Sequence, residues 1–278
     1  MLVETHIDGY VRDKVAIAID RLKAFEPEEG YYLAFSGGKD SQCIYHLAVE
    51  AGVKFDAHYN LTTVDPPELV RFIKDNYPDV IIDYPKESMW KLIVKNNCPP
   101  YRNIRWCCRE LKEHGGEGRI CVTGVRWAES INRKNKRKAF EVQKPKAFML
   151  FDDNDKGRRL FENCMQKGKR VVNPIVDWLD EDVWQFIRNR NITYCKLYDE
   201  GFHRLGCIGC PMAGEKRKKE FDRWPKYKES YLRAFGRVIK NRKAKGLKCT
   251  WDTAEEMMDW WLDEPDAIDY TNSFLEEE

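Results

Sequence analysis

The sequence lacks several features that would place it in a particular class. No apolar run approaches the roughly 18 residues that a membrane-spanning helix requires, so neither a transmembrane segment nor a membrane partner is predicted. No signal-peptide pattern opens the chain and no repeat of fixed period runs through it, which argues against a secreted protein and a repeat architecture. Histidine is scarce, with 5 residues in 278, and their spacing indicates no ligand set. We therefore expect a cytoplasmic protein without a histidine metal centre.

The composition is typical of a globular protein, with 42% hydrophobic and 34% charged residues. A chain of 278 residues fits one large or two small domains and can bury a substantial core. In the expected cytoplasmic context, the 10 cysteines favour metal or redox roles over disulfides.

The segment from Ser36 to Ser41 reads Ser-Gly-Gly-Lys-Asp-Ser and is the most informative motif of the chain. Residues 31–35 are predicted as a buried strand, and residues 42–50 as a helix that ends near Gly52. A strand, a glycine turn and a helix in this order direct backbone N–H groups and a helix N-terminus toward a phosphate group. The sequence therefore predicts a phosphate-binding loop, whose spacing differs from that of a Walker A loop.

Each residue of this loop has a chemical use. Gly37 and Gly38 let the backbone approach an anion closely, and Lys39 adds a mobile positive charge. Asp40 and Ser41 can cap the helix or hold a magnesium ion. The hexapeptide resembles the pyrophosphate-binding loop of the PP-loop ATP pyrophosphatases, the adenine nucleotide α-hydrolase-like enzymes. That resemblance implies that the loop holds the β and γ phosphates of ATP, with Mg²⁺, while the α-phosphate is attacked.

Alternating strand and helix patterns continue after the loop. Strands are predicted over residues 55–61, 80–84 and 119–124, and helices over 67–76, 89–96 (capped by Ser88) and 181–190 (capped by Asp180). This alternation predicts an α/β fold with a doubly wound parallel sheet, followed by a helical C-terminal extension. Ligands of such sheets bind beyond the carboxyl ends of the strands, where the glycine loop is expected. In the last third, Trp224, Trp260 and Trp261 are predicted to be core or docking residues.

Two cysteine pairs, Cys107-Cys108 and Cys207-x-x-Cys210, are the second strong signal. Four thiolates suit either tetrahedral zinc or a [4Fe–4S] cluster, and spacing alone does not choose between them. Cys98 is an alternative ligand that could replace one member of the first pair. The other cysteines in apolar or helical settings are predicted to be core residues, namely Cys43, Cys121, Cys164 and Cys195.

The cysteine pairs, together with two further segments, resemble the PAPS/APS reductase family over residues 30–212. These segments are Thr123-Gly124-Val125-Arg126 with Glu129, Ser130 and Arg133, and Asn173-Pro174-Ile175 with Trp178 and Asp182-Val183-Trp184. The resemblance implies a [4Fe–4S] cluster on the four paired cysteines. It also implies that Gly124, Arg126 and Arg133 join residues 36–41 in binding the nucleotide. Domains are expected over residues 1–212, which would bind nucleotide and cluster, and 213–278, the helical extension.

Two departures from the family pattern shape the functional hypothesis. Sulfonucleotide reductases generally have a degenerate phosphate loop, whereas this chain keeps all six residues, and the Glu-Cys-Gly-Leu-His tail with their nucleophilic cysteine is absent from the sequence. We therefore expect an ATP pyrophosphatase or adenylating enzyme, with Lys39, Asp40 and Arg126 as catalytic residues. It would transfer sulfur to an oxygen-containing acceptor such as DNA or tRNA. An APS/PAPS reductase and a non-catalytic nucleotide sensor with a cluster are the alternatives.

Charge is distributed unevenly, although the net charge is only +2. Residues 214–248 contain 14 Lys or Arg against 4 acids, while residues 250–278 contain 11 acids and no Lys or Arg. The basic segment is either a solvated helix surface or a surface that binds DNA or RNA, with the acidic tail as a mask. A sulfur donor protein such as a cysteine desulfurase is the other expected partner.

Overall fold

The computed structural model describes residues 1–5, 11–102, 105–112, 115–143 and 169–263. The chain divides into two compact units. The first, here called the sheet unit, comprises Met1–Tyr59, Glu68–Ile82 and Gly115–Leu205; the second, here called the cysteine unit, comprises Asn60–Pro67, Asp83–His114 and Gly206–Glu278. The predicted boundary after residue 212 lies near Gly206, but the prediction did not assign the two earlier segments to the second unit.

Strands and helices alternate through most of the chain. The strands are β1 (Val3–Thr5), β2 (Val11–Asp13), β3 (Tyr31–Ala34), β4 (Phe55–Asn60), β5 (Ile81–Asp83), β6 (Ile120–Val122), β7 (Phe140–Gln143) and β8 (Lys169–Val172). The helices are α1 (Lys14–Ala24), α2 (Lys39–Ala51), α3 (Pro67–Asn76), α4 (Met89–Lys95), α5 (Trp106–Leu111), α6 (Ile131–Lys136), α7 (Asp180–Asn189), α8 (Lys216–Arg223), α9 (Pro225–Ala244) and α10 (Ala254–Asp263).

The central sheet has the strand order β5-β4-β3-β6-β8-β7. Strand β3 pairs in parallel with both β4 and β6, β6 pairs in parallel with β8, and β7 forms an antiparallel edge. The predicted α/β fold with a mostly parallel sheet is confirmed. Because the chain proceeds outward from β3 in one direction and from β6 in the other, the switch in strand order lies between these two strands. In such sheets, ligands bind at the carboxyl ends of the strands that flank this switch.

Several local signals act as the sequence predicts. Gly52 ends α2 in the left-handed conformation at φ 69°, and the Ser88 hydroxyl accepts a hydrogen bond from the Lys91 N–H at the start of α4. Cys43, Cys121 and Cys195 are buried in the core, as expected. Cys164 and the acidic residues 264–278 lie outside the described residues.

Two helix starts differ from the prediction. Helix α2 begins at Lys39 rather than at Gln42, so Lys39, Asp40 and Ser41 form its first turn. Asp180 is the first residue of α7, whose N-cap is Leu179, and the side chain that accepts the Leu179 N–H is that of Asp182. The prediction of Asp180 as a cap was therefore wrong.

The cysteine unit is largely helical and has an aromatic core. The ring centroids of Trp90 in α4 and Tyr231 in α9 lie 4.9 Å apart. Trp261 in α10 is fully buried, and its indole N–H donates to the Pro100 carbonyl at 2.6 Å. Trp261 and the buried Trp224 are core residues, as predicted. In the described ranges, no helix is long and apolar enough to cross a bilayer.

Candidate functional site

The glycine loop leaves β3 in a conformation that requires glycine at one position. Gly37 has φ 70°, and a Cβ atom added there would lie 2.7 Å from the Ile73 side chain and 2.9 Å from that of Leu69. The Ser41 hydroxyl donates to the Gly38 carbonyl at 2.8 Å and accepts from the Ser36 N–H at 3.1 Å. The loop is therefore folded tightly against the first turn of α2, with the helix N-terminus at its end.

Four charged side chains meet at this turn. The Lys39 ammonium lies 2.9 Å from Asp180 Oδ1 and 3.4 Å from Asp40 Oδ2. The Arg126 guanidinium donates through Nε to Asp40 at 2.7 Å and through Nη2 to Asp180 at 2.9 Å. Each cation thus contacts both carboxylates, and the formal charges of the four side chains cancel.

The exposure of these groups differs. Lys39 and Arg126 are 5% and 3% exposed, whereas the Asp180 side chain is 55% exposed. Burial alone would lower the pKa of Arg126, but the two carboxylates raise it; burial would raise the pKa of Asp180, but Lys39 and Arg126 lower it. Arg126 and Asp180 are therefore both charged at neutral pH, and the two cations of the network lie inside the fold while Asp180 faces solvent.

A tyrosine hydroxyl occupies part of the helix N-terminus. The Lys39 N–H donates to Tyr198 Oη at 2.8 Å, and burial raises the pKa of this hydroxyl, which therefore stays neutral. The Tyr198 ring lies edge-on to Trp184, with centroids 5.1 Å apart. A helix N-terminus presents such N–H groups to anions, so Tyr198 holds one of the donors that a phosphate oxygen would use.

The segment after β6 packs against the loop, as expected from its place at the switch in strand order. A Cβ atom added to Gly124 would lie 3.0 Å from the backbone of Asp40, which explains the glycine. The side chain of Glu129 accepts from the Arg126 N–H at 3.0 Å and also pairs with Arg133. The structure therefore brings Arg126 into the phosphate loop, whereas the ion pair of Arg133 is with Glu129.

Cys107, Cys108, Cys207 and Cys210 are brought together in the cysteine unit. All are free and partly exposed. A hydrogen bond with Cys108, burial, and the negative charges of Cys108, Cys207 and Cys210 all raise the pKa of Cys107. The charge of Cys207 also raises the pKa of the neighbouring Lys112 ammonium. Cys98 is instead buried, and burial raises the pKa of its thiol to about 11.

The turn between Cys207 and Cys210 is fixed by its neighbours. Gly209 has φ 74°, and an added Cβ atom would lie 2.8 Å from Phe221 and 3.0 Å from Tyr231. The Gly209 N–H donates to the Glu220 carboxylate at 2.8 Å, and the Tyr231 hydroxyl donates to the Ile208 carbonyl at 2.9 Å. The partly buried Glu220 and the buried Tyr231 therefore each hold one backbone group between the two cysteines.

The chemistry of this donor set can be compared with the metal groups that the family resemblance implies. Across the described ranges, no three His, Cys, Asp or Glu side chains are placed to hold a single metal ion. A [4Fe–4S] cluster takes one thiolate at each of four iron atoms, so its ligands need not converge on one point. Because no three of the described cysteines are placed to hold a single ion, the four cysteines fit such a cluster better than they fit one zinc ion. Asp40 and Asp180 likewise fit Mg²⁺, which commonly takes one or two carboxylates together with phosphate oxygens and water.

Comparison with known proteins assigns the chain to a family. The sequence profile of the phosphoadenosine phosphosulfate reductase domain family matches residues 30–213. The chain belongs to this family. The family resemblance seen in the sequence is confirmed.

The similar proteins carry names of different activities. An uncharacterized protein of Methanocaldococcus jannaschii is 28% identical over 82% of this chain and 46% of its own length. The adenosine 5′-phosphosulfate reductase of Allochromatium vinosum is 37% identical over 49% of this chain and 45% of its own length. The probable FAD synthase of Schizosaccharomyces pombe is 30% identical over 67% and 62%, respectively. The chain spans about half the length of the curated relatives it matches.

Sequence reasoning missed two residues at the phosphate loop. Asp180 was interpreted as a helix cap, although it pairs with Lys39 and Arg126. Tyr198 was not singled out, although its hydroxyl accepts from the Lys39 N–H. The one local signal for Asp180 was its place in an acidic run of three residues, Asp180 to Asp182, which exceeds what one helix cap needs.

Proposed function

We propose that this protein is an adenylating ATP pyrophosphatase that carries a [4Fe–4S] cluster and acts in sulfur transfer. The observation that carries the proposal is the complete glycine loop with Lys39 and Arg126 at its helix N-terminus. ATP carries β and γ phosphates, which such a loop can bind as a pyrophosphate. APS and PAPS carry neither of these phosphates, so a complete loop would have no pyrophosphate to hold in them.

Each residue at the loop has a role in this reaction. The N–H groups of the loop and the Lys39 ammonium bind the β and γ phosphates of ATP, and Arg126 stabilises charge that develops at the α-phosphate. Asp40 and Asp180 would hold Mg²⁺, which would supply positive charge for the leaving pyrophosphate. When the phosphates take Lys39 and Arg126 as partners, both carboxylates become available for this role. Arg133 keeps Glu129, and through it the Arg126 backbone, in place.

The adenylation step changes no oxidation state: an acceptor oxygen forms a bond to the α-phosphorus while the bond from that phosphorus to the bridging oxygen breaks, and pyrophosphate leaves. A donor protein such as a cysteine desulfurase carries the sulfur as a persulfide. A second thiol supplies two electrons and forms a disulfide with the donor thiol, which releases the sulfur at the sulfide level. This sulfur replaces the adenylated oxygen, which departs with AMP. Cys107, Cys108, Cys207 and Cys210 would hold the cluster, which would position the incoming sulfur.

A reductase is the second candidate, and the Allochromatium vinosum relative favours it. In that reaction, adenosine 5′-phosphosulfate would yield sulfite and AMP with two electrons from a reductant protein. The family alone does not choose the nucleotide, because a probable FAD synthase is also among the relatives.

One experiment separates the two candidates. Protein purified without oxygen is assayed in parallel for pyrophosphate release from ATP and for sulfite release from APS and PAPS, the latter with thioredoxin as reductant. The proposal expects pyrophosphate from ATP and no sulfite above background. Sulfite release faster than ATP cleavage would assign the protein to the reductases instead.

A further inference from the structure

Helix α9 in the cysteine unit has two faces of opposite character. Tyr231, Phe235 and Val238 lie on one face and are at most 1% exposed. Lys226, Arg233, Arg237 and Lys240 are all exposed, and they follow each other at intervals of seven, four and three residues. At 100° per residue these intervals keep the four cations within about 40° of one line along the helix. With a rise of 1.5 Å per residue, the row, here called the basic row, is about 21 Å long.

The basic row is not used by the fold itself. Arg233 lies 3.6 Å from Glu229 in an exposed pair, while Arg237 and Lys240 have no carboxylate within ion-pair distance among the described residues. The two buried arginines of the basic segment behave differently, since Arg217 donates to the Trp261 carbonyl at 2.7 Å and Arg242 to the Lys248 carbonyl at 2.8 Å. The fold therefore uses Arg217 and Arg242, and leaves the basic row facing solvent.

The chemistry of the basic row favours one class of partner. An aligned set of four exposed cations, of which only Arg233 pairs with an acid among the described residues, suits a regular series of phosphates. In the described ranges, α9 has no exposed large hydrophobic side chain, so it offers nothing to insert into a lipid surface. For the same reason it offers no exposed ring on which the bases of a single strand could stack. A duplex contacted only through its phosphate backbone meets all three conditions.

We propose that the exposed face of α9 binds the phosphate backbone of a double-stranded nucleic acid, without reading its sequence. This inference rests on the proposed function, because it identifies the sulfur acceptor as a nucleic acid. The proposed contacts are the four cations of the basic row, namely Lys226, Arg233, Arg237 and Lys240. The buried arginines of the same charged segment do not take part.

The test compares two double variants of equal charge. Arg237→Gln with Lys240→Gln removes two cations from the basic row, whereas Lys23→Gln with Lys74→Gln removes two exposed cations from the sheet unit. Fluorescence anisotropy measures binding of the full chain to a 20-base-pair DNA duplex and to an RNA duplex of the same sequence, without nucleotide. The salt concentration is varied from about 20 to 200 mM.

The basic-row variant should bind about 10- to 100-fold more weakly near 0.1 M salt, and the slope of log K against log salt should become shallower by about two. The sheet-unit variant should keep the wild-type slope. Equal losses in both variants would show that only net charge matters and would overturn the proposal. So would absence of binding to either duplex at the lowest salt, or tighter binding to anionic vesicles.

The two proposals can fail separately. Pyrophosphate release from ATP is measured without nucleic acid, and duplex binding is measured without ATP. Binding through α9 in a protein that cleaves no ATP would sink the proposed function alone. ATP cleavage in a protein that binds neither duplex would sink the inference about α9 alone.

Discussion

The phosphate loop and the cysteine site hold charge in different ways. At the loop, Lys39 and Arg126 each contact Asp40 and Asp180, so the ligand-free site is electrically balanced by its own side chains. At the cysteine site, the neighbouring cysteines raise the pKa of Cys107 and so oppose its ionisation, and a charge on Cys207 raises the pKa of Lys112. The phosphate loop needs no ligand for charge balance, and a bound anion would replace the carboxylates as the partner of Lys39 and Arg126. The cysteine site would be stabilised by a bound metal centre, because its positive charge would offset the repulsion among ionised cysteines.

The largest effect should come from removing one cysteine of the Cys207-x-x-Cys210 pair. Protein purified without oxygen should contain close to four iron atoms per chain, and Cys207→Ser or Cys210→Ser should lose most of the iron and much of the stability of the cysteine unit, because metal binding and folding are coupled. Iron analysis and thermal unfolding measure this. Cys249→Ser is the matched control and should keep its iron. Stoichiometric zinc in place of iron would contradict the prediction.

A smaller but still large effect is expected at the loop. Lys39→Ala should lower the rate of pyrophosphate release by about 10²–10³, the scale for one preorganised charge in a transition state. Lys23→Ala, an exposed lysine in the same unit, should leave the rate unchanged. The thermal unfolding of Lys39→Ala should stay close to that of the wild type. A rate within twofold of the wild type would remove Lys39 from the mechanism.

Two glycine substitutions compare the rigidity of the two sites. Gly37→Ala and Gly209→Ala each place a Cβ at positive φ and within 3 Å of buried side chains, so each should cost roughly 1–2 kcal/mol for the backbone and a further 1–3 kcal/mol for the crowding. Gly118 and Gly246 also have positive φ but meet nothing within 4 Å, so alanine there should cost only the backbone part. Urea denaturation measures the difference. Equal costs at all four glycines would mean that the loop and the cysteine turn adjust freely.

Asp180→Asn tests the charge balance at the loop. With one carboxylate neutralised, pyrophosphate without magnesium should bind about two- to fivefold more tightly, which is the scale of an exposed ion pair. Turnover with magnesium should fall, because a ligand for the ion is lost. Glu181→Gln makes the same change of charge one residue away and should leave both unchanged. Weaker pyrophosphate binding in Asp180→Asn would show that Asp180 does not compete with the anion for Lys39 and Arg126.

The smallest effect should be a pH dependence in the cysteine unit. Burial raises the pKa of Glu220 from its ordinary 4.5 to about 7, against the hydrogen bond from Gly209. Because the folded pKa lies above the unfolded one, the stability gained from the protonated acid is complete below about pH 4.5 and is lost as the pH rises through 7. Glu220→Gln keeps an acceptor for the Gly209 N–H and should flatten the stability profile between pH 5 and 7. An unchanged profile would show that Glu220 titrates normally.

The sequence predicts most of the sheet unit because its signals are local. The glycine loop and the left-handed Gly52 each act within a few residues, so their patterns can be recognised in the sequence. Helix α2 was predicted to start at Gln42 because residues 36–41 were assigned to the phosphate-binding loop, with Asp40 and Ser41 as possible helix caps. In the structure, Gly38 precedes the helix, and these polar residues occupy its first turn.

The rest depends on contacts between residues that are far apart in the sequence. Asp180 serves the loop because α7 brings it to Lys39, and no pattern near residue 180 contains that information. The same holds for Tyr198 and for the three separate segments that build the cysteine unit. The four paired cysteines were predicted together through a family resemblance, since the distance between residues 108 and 207 along the chain says nothing about their separation in space.

The hydroxyl of Tyr198 on the Lys39 N–H has a kinetic consequence. A glycine loop without a ligand would ordinarily have to become ordered when a phosphate arrives, and this ordering would slow and weaken binding. Here a neutral hydroxyl already holds one donor in its bound orientation, so that an arriving phosphate oxygen replaces one acceptor with another. Nucleotide entry therefore requires the Tyr198 hydroxyl to leave the Lys39 N–H, and the same hydroxyl can take that place again when the nucleotide departs.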